Sequence, residues 1–217
     1  MQQLNTNKAY KCKVCKNDYN KARPLQAVCS PKCALVHAKR LEEKKSKEEQ
    51  RQWNIRRQSE KKALEPKTKP LLRLQRKVNT LVRLIDKGHV CISSGRKSGQ
   101  MQAGHYWSVG SHPHLRFHLF NIWSQTATDN NYHSGNLIGY RDGIINAFGQ
   151  EVFELIMNLK GQFTDVSLMK HEIEIKIEIV NELIKQMNKR HEVDGILSHQ
   201  ERLEYRILFN KKIGIYE

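Results

Sequence analysis

Apolar residues are spread unevenly along this chain, and their spacing changes character several times. From residue 34 to residue 64 nearly every position is charged or polar, as in "AKRLEEKKSKEEQRQWNIRRQSEKKAL". Such a run favours helix by propensity but has almost no apolar stripe to bury, so it predicts an exposed helix or arm. "EPKTKP" interrupts it. Leu71, Leu74, Val78, Leu81 and Ile85 then recur at steps of three and four, the mark of a helix with one buried face. Two short strand-like pieces, 89–93 and 100–106, flank the turn-rich "SGRKSG" and read as a hairpin. A loop, "SVGSHPHLRFHLFN", leads to Asn121, and "TDNNYHSGN" reads as a short capped helix entering a turn. The remainder predicts helices near 140–148, 151–158, 167–191 and 198–209. "EIEIKIEI" alone alternates like a strand, yet Ile173, Ile177, Val180, Ile184 and Met187 continue at helical spacing across the longer window. The expected fold is α+β and mostly helical.

Charge divides the chain. The net charge is +16, and residues 1–90 hold 24 Lys+Arg against 8 Asp+Glu, whereas residues 91–217 hold 14 of each. The whole excess sits on the N-terminal part, which fits a polyanion partner through counterion release. Arg51, Arg56, Arg57, Lys69, Arg73, Arg76 and Lys77 are the candidate DNA-binding cations, with Trp53 among the arginines as a stacking candidate. No run of 18 apolar residues appears, and "MQQLNTNKAY" lacks the apolar core of a signal peptide. A cytoplasmic protein without membrane partners is therefore expected.

Four of the five cysteines form C-x2-C-x13-C-x3-C: Cys12, Cys15, Cys29 and Cys33. Two close pairs supply four soft tetrahedral ligands and leave no open position, so a structural zinc is expected. Ser30-Pro31 fits a helix start immediately after Cys29. Four parts are expected: a zinc module (8–36), a basic helical arm (37–87), a ββα core (88–148) and a C-terminal helical region (149–217).

Hairpin, loop and helix is the order of a ββα-metal nuclease. Phosphodiester hydrolysis needs a base for water and a divalent cation to neutralise developing charge. His105 is the candidate base. Asn121 would fix the loop or orient the imidazole, while Asp129, Asn130 and His133 offer ligands for Mg²⁺ or Mn²⁺. Arg116 and His114 are candidates for contact with the scissile phosphate, and His112 and His118 crowd the same loop.

The order "CISSG", "AGHY", "LRFH", "NNYHSGN" and "FGQEVFELI", after a cysteine-rich head and a basic helix, resembles the phage NinG (Rap) recombination endonucleases. The resemblance runs from about Cys12 to His191. It implies an HNH-like, metal-dependent endonuclease, encoded by a phage or prophage in a bacterial host, that cuts D-loops and four-way (Holliday) junctions beside other recombination proteins. It also implies His105 as general base, Asn121 as the middle Asn of the HNH pattern and Asn130 as the cation ligand at the helix start. His133 falls near the last polar helix position, one residue out of register. Familiar members brace the hairpin with two CxxC pairs, but here those positions read Cys91, Ser94, Thr126 and Asp129, so a second zinc is not expected. Trp107, Phe117, Phe120 and Trp123 could brace the hairpin instead. Many HNH enzymes place a metal ligand directly before the base, where this chain has Gly104. The alternative expectation is thus a non-catalytic, branched-DNA-binding accessory protein on a degenerate HNH scaffold. A homodimer would suit paired incisions across a near two-fold junction.

Overall fold

The computed structural model describes residues 9–132, 135–163 and 166–216. His133 lies outside the described residues. The chain divides into two compact units at Glu65–Pro66. The expected four parts and these two units place two helices differently. The polar helix begins inside the zinc module rather than after it, and the amphipathic helix from Thr68 belongs to the second unit. The reason is burial: the first helix has no apolar face with which to join a core, and the second has one.

In the first unit β1 (Tyr10–Lys11) pairs antiparallel with β2 (Asp18–Tyr19). Cys12 and Cys15 lie in the turn between them, where Lys16 takes a positive φ of 67° and donates its N–H to the Cys12 carbonyl at 3.0 Å. Helix α1 (Pro31–Leu64) follows. Ser30 caps it by accepting from Cys33 N at 3.3 Å, with Pro31 in the first turn, as its sequence predicts. None of the 34 residues of α1 is buried, which matches the absence of an apolar stripe.

The second unit is built around a hairpin with different strands from those expected. Residues 89–93 form no strand. Cys91 N donates to Arg96 O at 2.8 Å and Gly95 N to Cys91 O at 2.9 Å, so the Ser-Ser-Gly turn chemistry closes this segment on itself. The hairpin instead joins β3 (Met101–His105) to β4 (Ile122–Thr126), with Gly104 opposite Trp123 and His105 opposite Ile122. His105 therefore ends the first strand, and Asn121 immediately precedes the second.

Strand alternation gives the hairpin two faces. Ala103 and Ile122 enter a core with Leu74, Val78, Leu81, Val82 and Ile85 of α2 (Thr68–Ile85) and with Ile173, Val180, Leu183 and Met187 of α6 (Lys170–Asp194). The window that alternates like a strand is thus helix, as its longer spacing predicts. Phe209 and Ile213 of α7 (His199–Ile213) complete that layer. On the opposite face Trp123 packs with Tyr140 and Ile144 of α4 (Leu137–Phe148) and Ile156 and Leu159 of α5 (Gln150–Gln162). Each such fully buried aliphatic side chain contributes about 1.5–3 kcal/mol. A Cβ on Gly143 would lie 1.7 Å from Ile92 O, so only glycine lets α4 run this close to the 92–93 backbone. Short helix α3 (Ala127–Tyr132) leaves the end of β4.

A buried ionic group ties α7 to the hairpin. Asp86 accepts from Arg202 Nη2 at 2.8 Å, from Arg206 Nη2 at 2.9 Å and from Ser124 N at 2.8 Å. The Arg206 guanidinium also lies 3.6 Å from the Trp123 ring centre. Burial opposes ionisation of Asp86, but the two arginines outweigh it and hold the carboxyl below its ordinary pKa.

Candidate functional site

The four N-terminal thiols converge. Their sulfurs all lie within 4.8 Å of one another, with Cys15 and Cys29 3.5 Å apart and Cys29 and Cys33 3.7 Å apart. A tetrahedral Zn–S₄ centre requires sulfurs roughly 3.8 Å apart, so this donor set could hold a metal such as zinc. Burial pushes the Cys12 thiol up, but backbone N–H groups of Cys15, Val14 and Cys29 outweigh it and bring the pKa to about 6. The Cys29 thiol is pushed up to about 12, chiefly by its hydrogen bonds with Cys15 and Cys12. Four crowded thiols cannot all ionise unaided, whereas a bound cation would make that arrangement favourable. Among the described residues this is the one group of three or more His, Cys, Asp or Glu ligands.

The second constellation lies at the hairpin. His105 Nε2 is 3.0 Å from Arg116 O. A carbonyl only accepts, so Nε2 carries the proton and the neutral ring presents Nδ1 as its lone-pair nitrogen. Burial lowers the imidazole pKa, and the nearby Arg116 charge adds to this, against the hydrogen bond that raises it. Asn121 sets the loop that supplies the carbonyl. It is fully buried, accepts from Trp107 N at 2.8 Å, and donates to Trp107 O at 3.0 Å and Leu115 O at 3.2 Å. Of its two expected roles, fixing the loop is the one its contacts perform; the Arg116 carbonyl orients His105.

Asn130 comes to the other face of β3. Its Nδ2 donates to Gln102 Oε1 at 2.8 Å, and its Oδ1 lies 3.0 Å from where a Cβ of Gly104 would stand. His105 and Asn130 are therefore on opposite faces of the hairpin.

Asp129 is engaged elsewhere. Its Oδ2 accepts from Ser94 Oγ at 2.6 Å, Thr126 Oγ1 at 2.6 Å and Cys91 Sγ at 3.2 Å, and its Oδ1 from Asn136 Nδ2 at 3.4 Å. The four positions where a second knuckle would have its cysteines are thus gathered by hydrogen bonds around one carboxylate. Burial opposes the charge, but the Ser94, Thr126, Cys91 and Asn136 donors outweigh it and bring Asp129 down to about 2. The expectation that Asp129 ligates the catalytic cation meets an Oδ2 already engaged by three donors. Thr126 caps α3, accepting from Asp129 N at 3.3 Å.

The candidate cations differ in availability. Arg51, Arg56, Arg57, Lys69, Arg76 and Lys77 are exposed, and Arg57 sits 4.9 Å over Trp53. Arg73 is instead drawn into a half-buried ion pair with Glu174 at 2.5 Å. Arg116 Nε donates to Gln75 Oε1 at 2.9 Å and so is partly committed within the core. His114 Nε2 is buried with no hydrogen-bond partner among the described residues. His118 is a core histidine, ringed by Phe120, Phe163 and Tyr216, and burial lowers its pKa to about 4.

A hard divalent cation prefers oxygen ligands, and Asn130 Oδ1 offers one. A residue not singled out from the sequence offers another. Gln125 of β4 is fully buried, and its Oε1 has no hydrogen-bond partner among the described residues. That oxygen falls 1.7 Å from the missing Cβ of Gly104. The sequence carried no signal for it, because only the pairing of β4 with β3 puts Gln125 on the same face as Gly104.

Comparison with known proteins gives these positions a family. The family model described as "Bacteriophage Lambda NinG protein" matches residues 4–192. "Protein ninG" of Enterobacteria phage H19B is 37% identical over 158 residues, covering 67% of this chain and 79% of that protein. "Protein ninG" of Escherichia phage lambda is 35% identical over 162 residues, covering 65% and 78% respectively. "Protein ninG" of Salmonella phage P22 is 39% identical over 88 residues, covering 40% and 43%. No solved structure matches. With the family model spanning both the thiol cluster and the hairpin, the chain belongs to the NinG family of phage proteins.

Proposed function

We propose that this chain is a metal-dependent endonuclease, HNH-like in its chemistry and related in activity to Rap, that hydrolyses phosphodiester bonds in branched recombination intermediates. The observation that carries the reading is the held imidazole of His105. Asn121 pins the loop, the Arg116 carbonyl accepts a hydrogen bond from Nε2–H, and Nδ1 is left free to accept a proton from water. Burial keeps the ring neutral near pH 7, the state a base requires. A phosphate lying along the β3 edge would meet His105 on one side and Asn130 on the other. Mg²⁺ or Mn²⁺ there would neutralise charge developing on the phosphate and the leaving oxygen. Among described residues no carboxylate cluster faces this edge, so the cation would rely on amide oxygens, water and the substrate phosphate.

The thiol module, with zinc, and the exposed cations of α1 would hold the DNA arms. Preference for a branch would come from shape and backbone contacts. Two copies would suit paired incisions in a four-way junction.

Gly104 favours a second reading, in which the hairpin is a scaffold and the protein holds branched DNA for a partner recombination protein. Cleavage of a labelled four-way junction by wild type and His105→Ala, with EDTA, Mg²⁺ or Mn²⁺, separates the two. Cutting that needs both the cation and His105 supports the nuclease. Tight binding with no cutting in any metal overturns it in favour of the scaffold.

A further inference from the structure

Gln125 raises a problem that its surroundings define narrowly. Its Nε2 donates to Gly135 O at 2.7 Å and to Ser93 Oγ at 2.5 Å. A carbonyl cannot donate in return, so the amide cannot be turned over and Oε1 must point the other way. There it meets no donor among the described residues, although it is fully buried. Leaving an acceptor desolvated and unpaired is costly, and such atoms are rare without a reason. Asn130 Oδ1 is directed to the same spot, its own Nδ2 being held by Gln102. Gln125 Oε1 and Asn130 Oδ1 thus both lie on the Gly104 side of the hairpin, where a cation between them would be met by two oxygens.

Gly104 is what makes room. Any side chain there would collide with Gln125 Oε1, since the Cβ alone would stand 1.7 Å away. Gln125 reaches diagonally across from the paired strand and occupies the position that a side chain just before His105 would take.

Building on the nuclease reading, we propose that Gln125 Oε1 is a ligand of the divalent cation and acts with Asn130 Oδ1 in place of the ligand that Gly104 lacks. The ligand class is a hard, oxygen-seeking ion, Mg²⁺ or Mn²⁺. Two neutral amide oxygens bind such an ion weakly, so a phosphate of the DNA completes the shell and the site fills mainly in the complex.

The test uses the full-length, zinc-loaded protein labelled with ¹⁵N and titrated with substoichiometric Mn²⁺, alone and with an uncut junction. The side-chain amide signals of Gln125 and Asn130 should be lost first, while those of Gln150 and Gln200 on distant helices stay sharp. Gln125→Glu should tighten Mn²⁺ binding by about tenfold by adding a charged ligand, and Gln125→Met should weaken it. If Asn130 responds but Gln125 stays sharp, and cutting still needs the metal and His105, the Gln125 assignment fails while the nuclease stands. If neither amide responds and no metal supports cutting, both fail.

Discussion

Ser94 Oγ donates to Asp129 Oδ2 at 2.6 Å, and Thr126 Oγ1 donates to the same oxygen at the same distance. With Cys91 Sγ at 3.2 Å, one carboxylate oxygen draws together three donors from the 91–95 turn and the start of α3. This performs the mechanical task of a metal knuckle, which is to tie a turn to a helix start. Charged hydrogen bonds of this type contribute about 1.5–3 kcal/mol each, and cutting their shared acceptor leaves buried donors unpaired. Asp129→Ala should therefore destabilise the second unit by about 3 kcal/mol, read by chemical denaturation. The opposite change also tests the geometry. Ser94→Cys, Thr126→Cys and Asp129→Cys together, with native Cys91, should raise bound zinc by one ion per chain in a colorimetric release assay.

Acid should loosen the same brace. The folded pKa of Asp129 is lowered to about 2 from an ordinary 3.8, so its ionised form is favoured by folding. Its stabilisation is full above pH 4 and is lost as pH falls from about 4 towards 2. Asp86 is also depressed and acts in the same direction. Melting curves from pH 6 to pH 2 should show a steep fall below pH 4, reduced in slope for Asp129→Asn.

How far the sequence carried this architecture depends on where the information resided. The α2 and α6 helices were legible because their apolar spacing is their burial, and the thiol cluster because ligand spacing is local. The hairpin was misread at 89–93, since a five-residue apolar piece looks like a strand whether it pairs or turns, and its closing bonds to Arg96 and Gly95 are set by the turn. Asp129 could be placed near a site but not assigned to one, because its partners Ser94 and Cys91 are some 35 residues away. Gln125 was invisible for a related reason: only pairing across the strands brings it to Gly104.

If His105 is the base, cutting should follow its deprotonation. Burial places its pKa below the ordinary 6.5, so the rate should rise with pH through an acid limb whose midpoint lies below 6.5, and then level off. His105→Ala should lower the cutting rate by about a hundredfold or more while leaving junction affinity nearly unchanged. A midpoint above 7, or equal loss of binding and cutting, would argue that the imidazole is only structural.

Asp86 tests whether α7 holds the hairpin from behind. Removing the acid leaves two buried guanidinium groups, Arg202 and Arg206, without their counter-ion. Breaking one side of such a group costs about 3–5 kcal/mol. Asp86→Ala should thus lower the melting temperature of the second unit more than any single change in the exposed face of α2. Replacement of all three residues by apolar ones of similar size should recover much of the loss. Recovery would show that the ionic group specifies the docking of α7 rather than supplying net stability.

If the exposed cations of α1 and the aromatic among them bind nucleic acid, salt separates their contributions. Each phosphate contact made by Arg51, Arg56 or Arg57 releases counterions, so the slope of log affinity against log salt should shrink by about 0.9 for every contact removed from duplex arms. Stacking releases none. Trp53, half-exposed beneath Arg57, should on substitution by Ala weaken binding to unpaired bases by about 1–3 kcal/mol without changing that slope. The same pair of variants, assayed on junction, duplex and single-stranded RNA, also reports the partner. A stacking loss confined to single-stranded RNA would point to an RNA ligand for α1. A slope change shared by junction and duplex, with little effect of Trp53→Ala, would mean that α1 grips DNA arms by charge alone.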